Sequence, residues 1–163
     1  MDRLEPVFQF LDKIAGGRSA SLRVPEEART RPDVRRVFHF VAAILVVLFV
    51  VGASAVAEAI ELTREGNTVS PVVWWRLLVI FAIAATLFYF WFRAQAGLWW
   101  AYSRLRLFSI VFPAIALTTC FIPGLYPDWM ILEQVTFSAL VLLMFTVLSG
   151  RRVRDAYRKP ARH

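Results

Sequence analysis

Residues 37–57 read VFHFVAAILVVLFVVGASAVA, twenty-one positions without a formal charge, closed by Arg36 on one side and Glu58 on the other. An α-helix needs ~20 apolar residues to cross a ~30 Å hydrocarbon core. Val37–Ala57 therefore reads as a membrane span. Three further runs follow, Val72–Phe92, Leu107–Tyr126 and Trp129–Ser149. Runs two and four each hold one charge near an end, Arg76 and Glu133. The expected fold is all-α: a four-helix transmembrane bundle (37–57, 72–92, 107–126, 129–149), preceded by a polar segment 1–36 and followed by a basic tail 150–163.

Composition agrees. The chain is 58% hydrophobic and 19% charged. A soluble domain is nearer half apolar and about a quarter charged. The charge lies mostly outside the four runs, so a soluble bundle of buried helices is disfavoured. Cys120 is the single cysteine, which leaves no intramolecular disulfide and no cysteine metal cluster. The first 36 residues lack a basic stretch followed by an apolar core of 7–15 residues. The first run is thus expected to act as an uncleaved anchor.

The net charge of +7 is explained by position better than by nucleic-acid binding. Segment 1–36 carries eight Lys/Arg, the gap between runs two and three carries Arg93, Arg104 and Arg106, and the tail carries six. The other gaps hold only Arg64, with Arg76 one turn inside run two. Basic residues hold loops on the cytoplasmic side. The expectation is a multi-pass protein of a bacterial plasma (inner) membrane with both termini cytoplasmic. Trp74, Trp75, Tyr126 and Trp129 then form an outer aromatic belt, and Trp91, Phe92, Trp99, Trp100 and Tyr102 an inner one.

Leu4, Val7, Phe8, Leu11 and Ile14 recur at helical spacing. They predict a short N-terminal amphipathic helix, lying on the inner leaflet or packed against loops or a partner. Gly16-Gly17 ends it, and residues 16–36 read as a linker or loosely ordered arm. Glu26-Glu27 after Pro25 marks a possible short helix there. Residues 93–106 mix basic and aromatic side chains and read as an interfacial connection. Pro113 predicts a kink in the third span, with Thr118, Thr119 and Cys120 placed to bond freed carbonyls. Only Pro127 and Asp128 separate runs three and four. Small residues (Gly52, Ala53, Ala55 and Ala57; Ala82, Ala84 and Ala85) permit close helix approach, within the bundle or at a dimer face.

Four charges break the pattern. Glu58, Glu61, Arg76 and Glu133 fall at a common level near the outer leaflet. Intramembrane charge is costly and usually faces a partner or water. Three arrangements are open: snorkelling to the interface, a structural pair between helices, or a polar pocket for a ligand or ion. On the inner side, Arg93, Arg104, Arg106, Arg151, Arg152, Arg154, Arg158 and Lys159 are candidate contacts for anionic lipid. His39 at a span end reads as interfacial. The sequence holds no HExxH, CxxC, Walker or GxSxG motif, and no catalytic, cofactor or metal residues are assigned.

Gly97-Leu-Trp-Trp-Ala together with the Arg-rich, Tyr-containing stretch through Tyr157-Arg158 resembles small uncharacterised four-span membrane proteins of high-GC Gram-positive bacteria. The resemblance covers 97–158 and implies a bacterial membrane protein with no catalytic residues to carry over. The leading expectation is a non-enzymatic accessory, assembly or scaffold subunit of an inner-membrane complex, with protein partners in the membrane or a homo-oligomer. Alternatives are a small homo-oligomeric transporter or channel using the outer charges, and an enzyme on lipid-linked substrates.

Overall fold

The computed structural model describes Gly17 and residues 22–158. The predicted amphipathic helix at 4–14 and Lys159 lie outside the described residues. Six helices follow in order: α1 (Glu26–Arg29), α2 (Pro32–Arg64), α3 (Pro71–Gln95), α4 (Trp99–Cys120), α5 (Asp128–Leu148) and α6 (Arg151–Ala156). Helices α2 to α5 are each long and apolar enough to cross a membrane, and the described residues form the four-helix bundle of a multi-pass membrane protein.

Local chemistry sets the helix ends. Pro32 and Pro71 open α2 and α3 in their first turns, where a missing N–H costs nothing. Ser70 caps α3 by accepting from the Val72 N–H at 3.4 Å. Asp33 and Asp128 sit in the first turns of α2 and α5, favourably placed against the helix dipole. α2 runs for 33 residues, about 50 Å at ~1.5 Å per residue, so its charged ends extend past the apolar run.

The third span differs from its expected bounds. It starts at Trp99 and ends at Cys120, whereas the apolar run is Leu107–Tyr126. Its first two turns carry polar side chains outward but bury Trp100, Ala101, Tyr102 and Leu105. That one-sided burial makes them helix, and the expected interfacial connection at 93–106 shrinks to 96–98. Gly97 makes this turn possible at φ +87°, a conformation open to glycine without penalty. At the other end Pro123, Gly124 (φ +72°) and Pro127 stop helix formation. The connection to α5 is therefore 121–127, not Pro127–Asp128 alone. Pro113 lies within α4. The Thr118, Thr119 and Cys120 side chains bond the carbonyls of Ala114 and Ala116, not the Ser109 carbonyl four residues before Pro113.

The arm before α2 is docked rather than loose. Val24 is buried and donates its N–H to the Gly97 carbonyl at 2.8 Å, while the Trp99 N–H donates to Leu22 at 3.1 Å. Arg23 and Leu98 form an isolated antiparallel bridge. The acidic pair after Pro25 opens the single-turn α1.

Each long helix packs against its chain neighbours, and α5 closes the ring against α2, an up-down-up-down bundle. Val41, Leu45, Leu48, Leu87, Leu105, Val141, Met144 and Leu148 fill the interior. A separate cluster of Ala55, Ala59, Val73, Leu77 and Met130 lies towards the end formed by the α2–α3 and α4–α5 connections, hereafter the loop end. Gly52 lets α2 approach α3: a Cβ there would meet Ile80 and Phe81 at 3.5 Å. Outward-facing Val46, Val50, Leu78, Val79, Ile115 and Leu132 are all exposed. A soluble monomer rarely shows so continuous an apolar exterior; a lipid-facing bundle requires it.

Candidate functional site

At the loop end one polar network crosses the bundle. Arg76 is the sixth residue of α3 and Glu133 the sixth of α5, each about 7.5 Å into its helix at ~1.5 Å per residue. Arg76 Nη1 donates to Glu133 Oε2 at 2.8 Å, with the two side chains only 10% and 9% exposed. Arg76 Nε donates to Gln134 Oε1 at 2.7 Å. Gln134 Nε2 in turn donates to Thr119 Oγ1 at 2.7 Å and to the Ala116 carbonyl. The Arg76 guanidinium also lies 5.1 Å from the Tyr126 ring centroid, within cation–π range. Three helices, α3, α4 and α5, are thereby joined through one guanidinium and one amide. Glu133 Oε1 is buried without a hydrogen-bond partner among the described residues.

Of Glu58, Glu61, Arg76 and Glu133, the structure brings together Arg76 and Glu133 and leaves the glutamates of α2 outside. Glu58 is exposed. Glu61 lies 3.8 Å from Arg64, both side chains in the open. Of the three arrangements left open by the sequence, the geometry of Arg76 and Glu133 is that of a pair between helices. Gln134 was not singled out in the sequence. Its signal is the stripe Met130, Gln134, Phe137, Val141, all buried at helical spacing, with an amide where an apolar residue would serve packing alone.

The opposite end, which carries the arm and α6, is closed by tyrosines. Tyr157 Oη donates to the Ala94 carbonyl at 2.8 Å and Tyr102 Oη to the Leu148 carbonyl at 2.7 Å. These are last-turn carbonyls of α3 and α5, which lack partners within their helices. The two rings lie 4.6 Å apart, and Phe38 is 5.6 Å from Tyr157. Burial pushes the Tyr157 hydroxyl above the ordinary phenol range, against a smaller lowering by the nearby Arg29 charge. Arg29 bonds the Gln95 carbonyl at 3.2 Å, and Trp91 Nε1 bonds the Phe38 carbonyl at 2.9 Å. Tyr157 reads from sequence only as part of a basic tail.

The candidate lipid-contact arginines spread over this end. Arg104, Arg151, Arg154 and Arg158 are exposed. Arg152 is 3.6 Å from Asp33, and Arg93 lies in the last turn of α3. Arg106 Nε donates to Ser149 Oγ at 3.0 Å, with its guanidinium 5.6 Å from the Phe145 ring. His39 is exposed. Among the described residues no group of three His, Cys, Asp or Glu side chains is placed to hold a metal ion.

The small-residue patches divide. Gly52, Ala55 and Ala84 face the interior, whereas Ala53, Ala57, Ala82 and Ala85 face outward. Ala53 and Ala85, with Val46, Phe49, Val50 and Phe88, line an apolar groove of about 680 Å³ between α2 and α3. A second cavity, about 350 Å³, runs from Arg76 and Gln134 down between Ile83, Phe112 and Phe137. No protein-family model, curated protein or solved structure matches the chain.

Proposed function

We propose that the protein is a non-enzymatic accessory, assembly or scaffold subunit of a bacterial inner-membrane complex, with both termini in the cytoplasm. The observation that carries this reading is the α2–α3 groove. It is apolar, open to lipid and floored by Ala53 and Ala85. Small residues at a membrane-facing helix surface allow a second helix to approach closely. The intramembrane charge of Arg76 is spent internally on Glu133 and Gln134, which favours a fixed clasp over a moving or transporting part. The basic asymmetry of the loops supports the orientation.

The test is photocrosslinking in native membranes. A photoreactive residue in place of Val50, in the groove, is expected to trap a discrete protein partner. The same probe at Ile115, on the diagonally placed α4, is expected to trap lipid. Lipid adducts alone at both positions would overturn the proposal. A second reading, a small homo-oligomeric transporter or channel, is favoured by the cavity beneath Arg76 and Gln134. Liposome flux that is lost on Gln134→Leu would support it instead.

A further inference from the structure

α6 folds back against α2, and a recess of about 360 Å³ lies between it and the start of α4. Its walls include Trp99, Ser103 and Arg106 from α4, with Arg154, Asp155 and Arg158 from α6 and the residues after it. Three guanidinium groups against one carboxylate leave the recess with a net charge of +2. Arg106 directly precedes the apolar run that begins at Leu107, so the recess lies at headgroup depth. Trp99 is half-buried there, as interfacial tryptophans are. Arg106 is held in place by Ser149 Oγ and the Phe145 ring. Arg154 and Arg158 are exposed.

We infer that this recess binds the headgroup of an anionic glycerophospholipid whose phosphate is esterified to a hydroxyl-bearing group such as glycerol. Guanidinium groups suit phosphate oxygens because they present several donors in one plane. Basic pockets at the membrane surface are suited to such headgroups. Asp155 gives the selectivity: beside bare phosphate a carboxylate repels, whereas beside a glycerol headgroup it accepts from a hydroxyl. Of the eight basic residues first considered for lipid contact, Arg106, Arg154 and Arg158 therefore form the specific site. A bound lipid bridges α4 and α6, tying the C-terminal segment to the bundle. This inference does not depend on the scaffold role.

The test uses the full chain in phosphatidylcholine nanodiscs doped with phosphatidylglycerol or phosphatidic acid, with lipid retention read by native mass spectrometry. Phosphatidylglycerol is expected to be enriched around the protein and phosphatidic acid less so. Inorganic phosphate at equal concentration is expected not to compete. Arg154→Gln and Arg158→Gln each lower phosphatidylglycerol affinity about fivefold, and the pair about thirtyfold. Arg104→Gln and Arg151→Gln change it less than about twofold. Asp155→Asn narrows the preference for phosphatidylglycerol over phosphatidic acid. Both arginines are exposed, and the melting temperature without anionic lipid is expected to stay unchanged in their variants. Equal loss from Arg104→Gln and Arg154→Gln would overturn the site, leaving only a diffuse basic surface. Competition by inorganic phosphate would reassign it to a soluble ligand. An unchanged preference in Asp155→Asn would overturn the headgroup assignment.

Discussion

The two ends of the bundle are closed by different chemistry. At the loop end, one guanidinium and one amide join three helices, and the polar atoms involved are few and buried. At the terminal end, closure is shared among many modest contacts: two tyrosine hydroxyls on last-turn carbonyls, a docked arm, and the Arg29 and Trp91 bonds. The ion pair is an all-or-none device, because either partner left alone is an uncompensated buried charge. The tyrosine closure is graded, since losing one hydroxyl leaves the ring packing in place. The same bundle thus has a brittle end and a tolerant one.

The largest effect expected is at the brittle end. Arg76→Ala leaves Glu133 unpaired and should cost about 3–5 kcal/mol, as removal of one partner of a buried pair does. Unfolding in mixed detergent checks it. Arg76→Glu and Glu133→Arg should each be severe, with the double exchange recovering part of the loss. Failure of the double exchange would remove the direct pair as the organising contact.

At the tolerant end Tyr157→Phe should cost less, about 1 kcal/mol, since it removes one hydroxyl while the Ala94 carbonyl keeps the Gly97 N–H at 2.9 Å. The same residue gives that end an alkaline limit. Its phenol titrates higher in the fold than the ordinary 10.0. A raised folded-state value means stability that is full below pH 10 and lost as the pH rises above it, because only the unfolded chain ionises freely there. Thermal unfolding between pH 9 and pH 11 should show this loss, and Tyr157→Phe should flatten it.

Gly97→Ala should cost about 1–2 kcal/mol from its φ of +87° alone. It should also loosen the arm, visible as faster amide exchange at Val24. Smallest is Glu61→Ala, which removes a pair with both side chains exposed; less than about 0.5 kcal/mol is expected. A large Glu61 effect would mean that the four loop-end charges act together after all.

Three of the four spans were legible because hydropathy and charge agree along them. The third was displaced for two physical reasons. Phe121, Ile122, Leu125 and Tyr126 are apolar, yet Pro123 and Gly124 cannot continue a helix. Trp99–Arg106 holds Arg104 and Arg106 and is not an apolar run, yet its buried face carries Trp100, Ala101, Tyr102 and Leu105. Hydropathy counts composition and does not see which face a side chain takes. The Arg76–Glu133 juxtaposition could be raised from sequence because both lie one turn inside neighbouring levels. Its third member, Gln134, could not, since nothing in a single sequence says that α4 brings the Ala116 carbonyl opposite that amide. The tyrosine closure was illegible for the same reason. It depends on α6 turning back, and Gly150 permits that turn without dictating it.

The contacts at the terminal end also have an order in time. Arg29 waits for a carbonyl 66 positions further along the chain, and Ala94 waits for a hydroxyl 63 positions beyond it. At a synthesis rate of ~5–20 residues per second, the arm stays undocked for about 3–13 s after it emerges. The final seal arrives only with Tyr157. A chain cut short before that residue carries all four spans and a docked arm, but leaves Phe38 and Tyr102 without the Tyr157 ring against them. Completeness of synthesis is thereby written into the surface that a quality-control protease would meet.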